Sequence, residues 1–249
     1  MAVSRLEEPS LLTDRVFTAI HEAIMNGELA AGARLRVRDL ALQVGTSVMP
    51  VREAIRRLEE AGLAERVPHK GAVVKGLTST ELEHVYDVRV LLETDAARLG
   101  GAVVSPESCA RMSQRSDEMA RAVEDGRMVD ALNHDEALLE LLYAAAGNPV
   151  LLEMIRGLWQ RCRPYKIIGA RRALESSDAT LWSFQPRIVE AARDHDADAT
   201  AEITRASLLS AQARIRATLD AESAQAQTSP SVTPRAMGPV VSGTKVPNP

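Results

Sequence analysis

Apolar side chains recur at intervals of three and four residues along most of the chain, which is the spacing of one face of an α-helix. Residues 11–75 carry two helix-like runs, a longer helix and a short stretch rich in β-branched residues, whereas residues 78–222 read as almost continuous amphipathic helix. Residues 223–249 are dominated by Pro, Ser, Thr and Gly and bury too little apolar surface to offset their ordering entropy. We therefore expect an N-terminal domain (1–77), a helical domain (78–222) and a disordered tail (223–249).

Local capping signals divide the helical domain into separate helices. Thr78 and Glu81 have the spacing of a capping box, in which each side chain satisfies a free amide at the start of a helix. A capping residue followed by Pro at the first helical position recurs at Ser105-Pro106 and at Asn148-Pro149. These signals predict roughly six helices of about 15–20 residues with short connections, which is typical of an antiparallel bundle. The predicted fold class is therefore mainly α.

Residues 35–60 have the pattern of a helix-turn-helix. A short helix with apolar side chains at positions 37, 40, 41 and 44 precedes Gly45, which permits a tight turn. Ser47 is suited to cap the next helix, and Pro50 is tolerated in its first turn. The face of this helix opposite its apolar stripe carries Arg52, Arg56 and Arg57. Guanidinium groups on such a face bind phosphates, and side chains near the helix start meet base edges in the major groove.

Two short β-rich segments follow the arginine-bearing helix. Residues 63–67 and 72–74 flank a turn with the sequence Pro68-His69-Lys70-Gly71. His69 and Lys70 would lie at the tip of this hairpin, within reach of a sugar-phosphate backbone. The order of short helix, Gly turn, arginine-bearing helix and basic hairpin predicts an N-terminal winged helix-turn-helix that binds double-stranded DNA.

Composition narrows the class of protein. Of the 249 residues 45% are hydrophobic and only 3% are aromatic, so the cores must be built from Leu, Ala, Val and Ile. The net charge of -4 does not exclude DNA binding, because DNA responds to the local patch that it touches. Cys109 and Cys162 suggest two buried thiols in a reducing compartment. Since the chain shows neither an apolar run of ~20 residues nor the apolar core of a signal peptide, we expect a cytoplasmic protein with no membrane partner.

Several motifs resemble those of the GntR family of bacterial transcription regulators. In the N-terminal part they are Asp39-Leu40-Ala41, Pro50-Val51-Arg52-Glu53-Ala54 and Leu58-Glu59-Glu60-Ala61-Gly62-Leu63. The helical part resembles the FadR-like subgroup with its FCD-type effector domain, through Val88-Arg89, Leu92-Glu93, Asp135 and Ala145-Ala146-Gly147-Asn148-Pro149. The resemblance covers about residues 11–219. It implies a homodimer on a near-palindromic operator, whose DNA binding responds to a small-molecule effector.

The resemblance also implies which residues contact DNA. Arg38, Ser47, Arg52 and Gly71 match positions that commonly do so in the family. The outer face of the helix and the wing tip add four further candidates, Met49, Arg56, His69 and Lys70. One position departs from the family, since relatives usually carry a basic residue where this chain has Val48. An apolar contact of Val48 and Met49 with a thymine methyl group is an alternative use of this position.

The helical domain departs further from its relatives. Many of them hold a divalent metal with one Asp and three His, a ligand set that suits zinc or nickel, and the metal helps to bind a carboxylate effector. The corresponding positions here are Asp135, Leu139, Gln185 and Ser207, so only the carboxylate remains. We therefore expect an effector site that contains no metal or other cofactor and is lined by these four residues and Arg89.

Without a metal, the affinity for an effector must come largely from apolar surface, at about 25 cal/mol per Å² buried. Leu139 makes the site more apolar, which favours a largely apolar acid or an acyl thioester. Arg89 either pairs with Glu93 one turn away or binds the acidic group of the ligand. The basic run from Arg161 to Arg172 is expected to be a solvated helix face, with anion binding as the alternative. At least one aromatic side chain of the set Trp159, Tyr165, Trp182 and Phe184 is expected to line the cavity.

Three other functions are alternatives to an effector-responsive repressor. A regulator that senses a carboxylate through a metal would need a ligand set that this chain lacks. A helical-bundle enzyme has no support, because the chain contains no recognisable nucleophile–base pair, Gly-rich phosphate loop or metal-ligand set. A DNA-binding protein with a purely structural dimerisation domain is the expected alternative if the bundle is filled instead of hollow.

Overall fold

A computed structural model of the protein describes residues 9–176 and 178–228. The N-terminal part contains α1 (Pro9–Met25), α2 (Val37–Gln43), α3 (Val48–Glu60), β1 (Ala64–Val67) and β2 (Gly71–Val74). The rest is helical: α4 (Ser79–Val103), α5 (Pro106–Glu124), α6 (Met128–Ala145), α7 (Pro149–Glu175), a short 3₁₀ helix (Ala179–Trp182), α8 (Phe184–Arg193) and α9 (Ala197–Thr228). The predicted fold class, mainly α with a winged helix-turn-helix and a helical bundle, is confirmed. Within the described ranges, no helix is long and apolar enough to cross a membrane.

The winged helix-turn-helix is built around one apolar core. The buried face of α3, including Val51 and Leu58, packs with α1 residues such as Ile20 and Ile24. The strands β1 and β2 pair antiparallel from Ala64↔Val74 to Val67↔Gly71. The segment before α2 extends this hairpin, because the amides of Gly32 and Leu35 donate to the carbonyls of Val74 and Ala72. This packing holds α3 and the wing in a fixed relation to each other.

Helices of the bundle begin where local chemistry predicts. The Thr78 hydroxyl accepts from the Glu81 amide at 3.2 Å, and the Glu81 carboxylate accepts from the Thr78 amide at 2.9 Å, which completes a capping box. Ser105 and Asn148 cap α5 and α7, each accepting a hydrogen bond from the amide three residues later. The predicted lengths are less accurate: α8 has 10 residues, whereas α7 has 27 and α9 has 32.

The end of α9 corrects one predicted boundary. The helix continues to Thr228, although residues 223–228 were assigned to the disordered tail. Ala and Gln alternate there, and both are good helix formers, so the segment extends α9 despite its low hydrophobicity. The rest of the predicted tail, residues 229–249, lies outside the described residues, as do residues 1–8.

Helix α4 is the central helix of the bundle and crosses two neighbours closely. A Cβ atom at Gly100 would lie 2.0 Å from the carbonyl oxygen of Leu142 on α6, and one at Gly101 would lie 2.9 Å from Oγ1 of Thr200 on α9. These distances are too short for any side chain. The absence of a side chain at both positions therefore sets how closely α4 approaches α6 and α9.

We predict that Gly100→Ala lowers the free energy of unfolding by about 1–3 kcal/mol, because the added methyl group must push α4 away from α6. Gly157 on α7 is a matched control, since no atom lies within 4 Å of a Cβ built there. Gly157→Ala should stabilise the protein by up to about 1 kcal/mol through helix propensity. Urea titration measures both values, and equal effects of the two substitutions would contradict the close crossing.

Candidate DNA-binding surface and effector cavity

A surface groove lies between α3 and the wing. Five of the eight residues predicted to contact DNA line it: Met49, Arg52, Arg56, Lys70 and Gly71. Arg36 and Arg66 also line this groove. Neither arginine was predicted from the sequence. Their positions, directly before the first helix of the helix-turn-helix and in the first strand of the wing, could have identified them as candidates. Of the other three predicted residues, Arg38 lies exposed on α2, Ser47 at the start of α3 and His69 at the tip of the wing.

The three arginines of α3 differ in their availability to a partner. Arg56 pairs with Glu53 and Glu60 on its own helix, and its hydrogen bond lowers the pKa of Glu53. Arg57 pairs with Asp14 and lies 4.5 Å from the centre of the Phe17 ring, so it braces α3 against α1. Arg52 is exposed and makes no ion pair with any residue in the described part of the chain. Arg52 is therefore the arginine of α3 best placed to bind a phosphate or a base.

Ser47 does not cap α3 with its side chain, which corrects the prediction. It occupies the N-cap position with an extended backbone, but its hydroxyl accepts no capping hydrogen bond. The third helical residue is Pro50, which has no amide hydrogen, so the usual donor for such a bond is missing. The Ser47 hydroxyl is left exposed at the start of the helix.

A cavity inside the bundle contains all five residues predicted to bind an effector. Arg89, Asp135, Leu139, Gln185 and Ser207 line its wall, from helices α4, α6, α8 and α9. The wall also contains Lys166 from the basic run of α7 and residues that the sequence did not single out for this site, among them Tyr86, Glu93, Tyr143, Thr204 and Arg214. Trp182 lines it as well, which agrees with the expectation of at least one aromatic from the selected set. The cavity volume is 60 Å³.

Arg89 both pairs with Glu93 and faces the cavity, so the two alternatives are combined in one arrangement. Its Nε donates to a Glu93 carboxylate oxygen at 2.7 Å, and both side chains are almost wholly buried. The Tyr143 hydroxyl donates to the other oxygen at 3.2 Å. Burial acts to lower the pKa of Arg89, but the charge of Glu93 more than offsets this and the pKa lies well above its ordinary value. The Arg89 guanidinium therefore keeps its positive charge.

Each oxygen of Asp135 accepts a hydrogen bond from a side chain on a neighbouring helix. Gln185 Nε2 donates to Oδ1 at 2.7 Å and Lys166 Nζ donates to Oδ2 at 3.1 Å. The charges of Asp135 and Glu136 outweigh the effect of burial and raise the pKa of Lys166 above its ordinary value. In the part of the chain that the structure describes, no three His, Cys, Asp or Glu side chains converge as metal ligands. Because Leu139 offers no ligand atom and both Asp135 oxygens are occupied by donors, these residues do not fit a transition metal.

Several buried polar atoms in the cavity wall have no hydrogen-bond partner among the described residues. They are the Tyr86 hydroxyl, Arg89 Nη1, Gln185 Oε1, the Thr204 hydroxyl and Arg214 Nε. Burial raises the pKa of Tyr86 to about 12, so its hydroxyl keeps its proton. Four of these five groups can donate a hydrogen bond and two are cationic. An unpaired buried donor costs about 1–3 kcal/mol, so this wall is suited to a ligand that accepts hydrogen bonds.

The basic run on α7 is not wholly the solvated helix face that the sequence suggested, because Arg163 is buried and the Lys166 side chain is only 11% exposed. Arg163 Nη1 donates to Glu136 at 2.5 Å and Nη2 to Asn133 at 2.5 Å, while Nε donates to the carbonyl of Met25 at 3.2 Å. Met25 is the last residue of α1, so Arg163 ties the bundle to the DNA-binding domain. Lys166 follows one turn later. Both cations are held by carboxylates on α6, Glu136 and Asp135. The helical spacing within α7 gives no information about partners on another helix.

Two family profiles match the chain. The profile of the bacterial regulatory proteins of the gntR family matches residues 12–74, and the profile of the FCD domain matches residues 84–210. The chain belongs to the GntR family and carries an FCD domain. It is a DNA-binding transcription regulator and not an enzyme.

Individual relatives agree with this assignment. The regulator McbR of Escherichia coli is 30% identical over 153 residues, which cover 61% of this chain and 69% of the relative. The solved structure of E. coli McbR/YncC superposes with a TM-score of 0.69 at 25% identity, covering 89% of this chain and all of that chain. The gluconate operon transcriptional repressor of Bacillus licheniformis is 37% identical over 91 residues, 36% of this chain and 37% of the relative.

We predict that Arg52→Ala weakens operator binding at least tenfold without lowering the thermal stability of the protein. A charge-assisted contact of an unpaired guanidinium group contributes about 1.5–3 kcal/mol. Arg171→Ala is a matched control, because Arg171 is exposed on α7, away from the groove. Fluorescence anisotropy titration at fixed salt measures the affinities, and an unchanged dissociation constant for Arg52→Ala would show that Arg52 does not contact DNA.

Proposed function

We propose that this chain is a homodimeric repressor of the cytoplasm whose affinity for a palindromic operator is controlled by a small, partly apolar acid bound in the bundle cavity without a metal. The proposal keeps the effector site predicted from the sequence and narrows its ligand. It rests mainly on one observation, the unpartnered Nη1 of buried Arg89 at the cavity wall.

Arg89 accounts for the acidic group of the ligand. Its Nε and Nη2 donate hydrogen bonds to the Glu93 carboxylate at 2.7 and 3.4 Å, while Nη1 has no hydrogen-bond partner in the described part of the chain. The Tyr86 hydroxyl is another unpartnered donor, and the Arg89 guanidinium lies 4.6 Å from the centre of the Tyr86 ring. A carboxylate would accept from both groups, and charge-assisted hydrogen bonds of this kind are the stronger ones.

The size and lining of the cavity limit the rest of the ligand. A volume of 60 Å³ is far below the roughly 300–1,000 Å³ of sites for drug-sized molecules. Leu139, Leu208 and Ile188 supply an apolar part of the wall. A short apolar acid therefore agrees with this cavity better than an acyl thioester, which would require the bundle to open.

The hydrogen bonds of α7 offer a route from the cavity to the DNA-binding domain. The Lys166 ammonium group donates to Asp135 at the cavity at 3.1 Å and to Glu136 at 3.3 Å. Glu136 in turn binds Arg163, whose Nε reaches the carbonyl of Met25. On the same helix the Tyr165 hydroxyl accepts from the Leu77 amide and donates to its carbonyl at 3.3 Å, in the linker between the domains. An anion in the cavity that attracts Lys166 would weaken its bond to Glu136. Glu136 would then interact differently with Arg163, which binds the end of α1.

A purely structural bundle is the competing proposal, and the small cavity volume favours it. If the domain only dimerises, the cavity is an imperfection of packing that holds water. The five unpartnered polar atoms need a partner in either case, and that partner would be ordered water in a structural bundle or a ligand in an effector domain. Ligand binding distinguishes the two proposals.

The homodimer is supported by an apolar stripe on the outer face of α4. Val88, Leu91, Leu99 and Val103 share one face at helical spacing, and all four are exposed. Leu91 is 71% exposed. Asp95 lies on the same face, between Leu91 and Leu99. Exposed apolar side chains are typical of an interface, and a second copy of the chain would cover them in a two-fold arrangement that matches a palindromic site.

We predict that at least one short carboxylic acid stabilises the protein in a thermal-shift screen, whereas the matched primary amide does not. A ligand at 100 times its dissociation constant adds about 2.7 kcal/mol, which raises Tm by several degrees. The double variant Arg89→Gln/Glu93→Gln leaves no unpaired buried charge and should lose the shift. If no acid stabilises the wild-type protein, the structural bundle is the better account.

We also predict that protein purified without chelator contains far less than one transition metal ion per chain. Lys166 and Gln185 already satisfy the two oxygens of Asp135, so a divalent cation would have to displace an ammonium group. Elemental analysis by mass spectrometry is the measurement. A stoichiometric metal that disappears in Asp135→Ala would contradict the metal-free site.

Leu91→Asp is expected to convert the dimer to a monomer at micromolar concentration, because it replaces the most exposed apolar side chain of the α4 stripe with a charge. Val150→Asp is the control, since Val150 is similarly exposed but lies on α7. Sedimentation velocity of the full-length chain reports both states. A dimer that survives Leu91→Asp would locate the interface elsewhere.

A further inference from the structure

The first turn of α3 exposes two apolar side chains. Met49 is 68% exposed and Val48 is 38% exposed. Neither belongs to the apolar core of the N-terminal domain, whereas the next apolar residue, Val51, is fully buried in it. The surface around Met49 gains free energy only when a partner covers it.

Met49 is continuous with the surface that binds DNA. It lies three and seven residues before Arg52 and Arg56, so all three share the face of α3 opposite its buried stripe. Met49 also lines the groove between α3 and the wing, together with Arg52 and Lys70. The same duplex that these cations bind would therefore cover Met49.

A methionine side chain has no strong hydrogen-bonding atom with which to read a polar base edge. The one apolar group that a base pair presents in the major groove is the C5-methyl group of thymine. Side chains at the start of a recognition helix are the ones that reach base edges. We propose that Met49, flanked by Val48, contacts the methyl group of a thymine in each operator half-site and thereby specifies that base. The inference rests on the operator-binding function proposed above.

The test begins with selection of operator duplexes from a random library by the full-length protein. Each invariant thymine of the selected half-site is then replaced by deoxyuridine, which removes the methyl group and keeps the base pairing. At one position, affinity of the wild-type protein should fall about three- to fourfold per half-site, which corresponds to about 0.8 kcal/mol for one buried methyl-sized group. The variant Met49→Ala should bind the thymine and uracil duplexes equally well.

Leu42→Ala is the matched control, because Leu42 is 83% exposed on α2 but does not line the groove. This variant should keep the full preference for thymine. Equal binding of wild-type protein to all uracil-substituted duplexes would overturn the inference, and so would an undiminished preference in Met49→Ala. A selection that yields no specific sequence would overturn the operator-binding function itself, and the inference with it.

Discussion

The ammonium group of Lys166, held between Asp135 and Glu136 at 3.1 and 3.3 Å, joins the wall of the cavity to the contacts between the bundle and α1. Removing an ion from water costs several kcal/mol, and only well-placed partners offset that cost. Lys166 is 11% exposed and has two such partners. One of them faces the cavity and the other binds Arg163, which reaches α1. These contacts form a continuous series from the cavity wall to the end of α1, and this series is the route proposed above for coupling the cavity to the DNA-binding core.

The two candidate sites use positive charge in opposite ways. In the groove between α3 and the wing, Arg52 has no ionic partner within the described ranges, and such a group is ready to bind phosphate. In the cavity, each cation already has a carboxylate partner: Glu93 for Arg89, Asp135 for Lys166 and Asp178 for Arg214. The groups left without a partner there are four hydrogen-bond donors and one acceptor, Gln185 Oε1. The first arrangement suits a polyanion at the surface, and the second suits one small acid inside the bundle.

Much of the fold was predictable from the sequence because the signals are local. The capping box at Thr78 and Glu81, the turn at Gly45 and the apolar stripe of α3 each depend on residues within a few positions of one another. The winged helix-turn-helix and the bundle follow from them. Four of the effector-site positions were located by resemblance to a family and the fifth, Arg89, by its possible role with an acidic ligand, and the structure brings all five to one cavity. Their role in binding remains a prediction.

The errors arose where a residue depends on a distant partner or on an exception to a local rule. Arg163 and Lys166 looked like a solvated face because their partners, Glu136 and Asp135, lie on another helix. Ser47 fulfils the compositional rule for a cap, but Pro50 removes the amide that it would bind. The continuation of α9 to Thr228 reflects helix propensity, which a prediction based on low hydrophobicity underestimates.

The central claim, that the cavity controls the affinity for DNA through Arg163, is tested most directly by fluorescence anisotropy titration of the operator with and without a saturating acid identified by thermal shift. We expect the acid to change the dissociation constant of the wild-type protein at least fivefold, the lower end of typical coupling between two sites. In Arg163→Gln, which keeps Glu136 paired with Lys166, the acid should still bind but leave the operator affinity unchanged. An acid that binds the wild-type protein without altering its affinity for the operator would contradict the account.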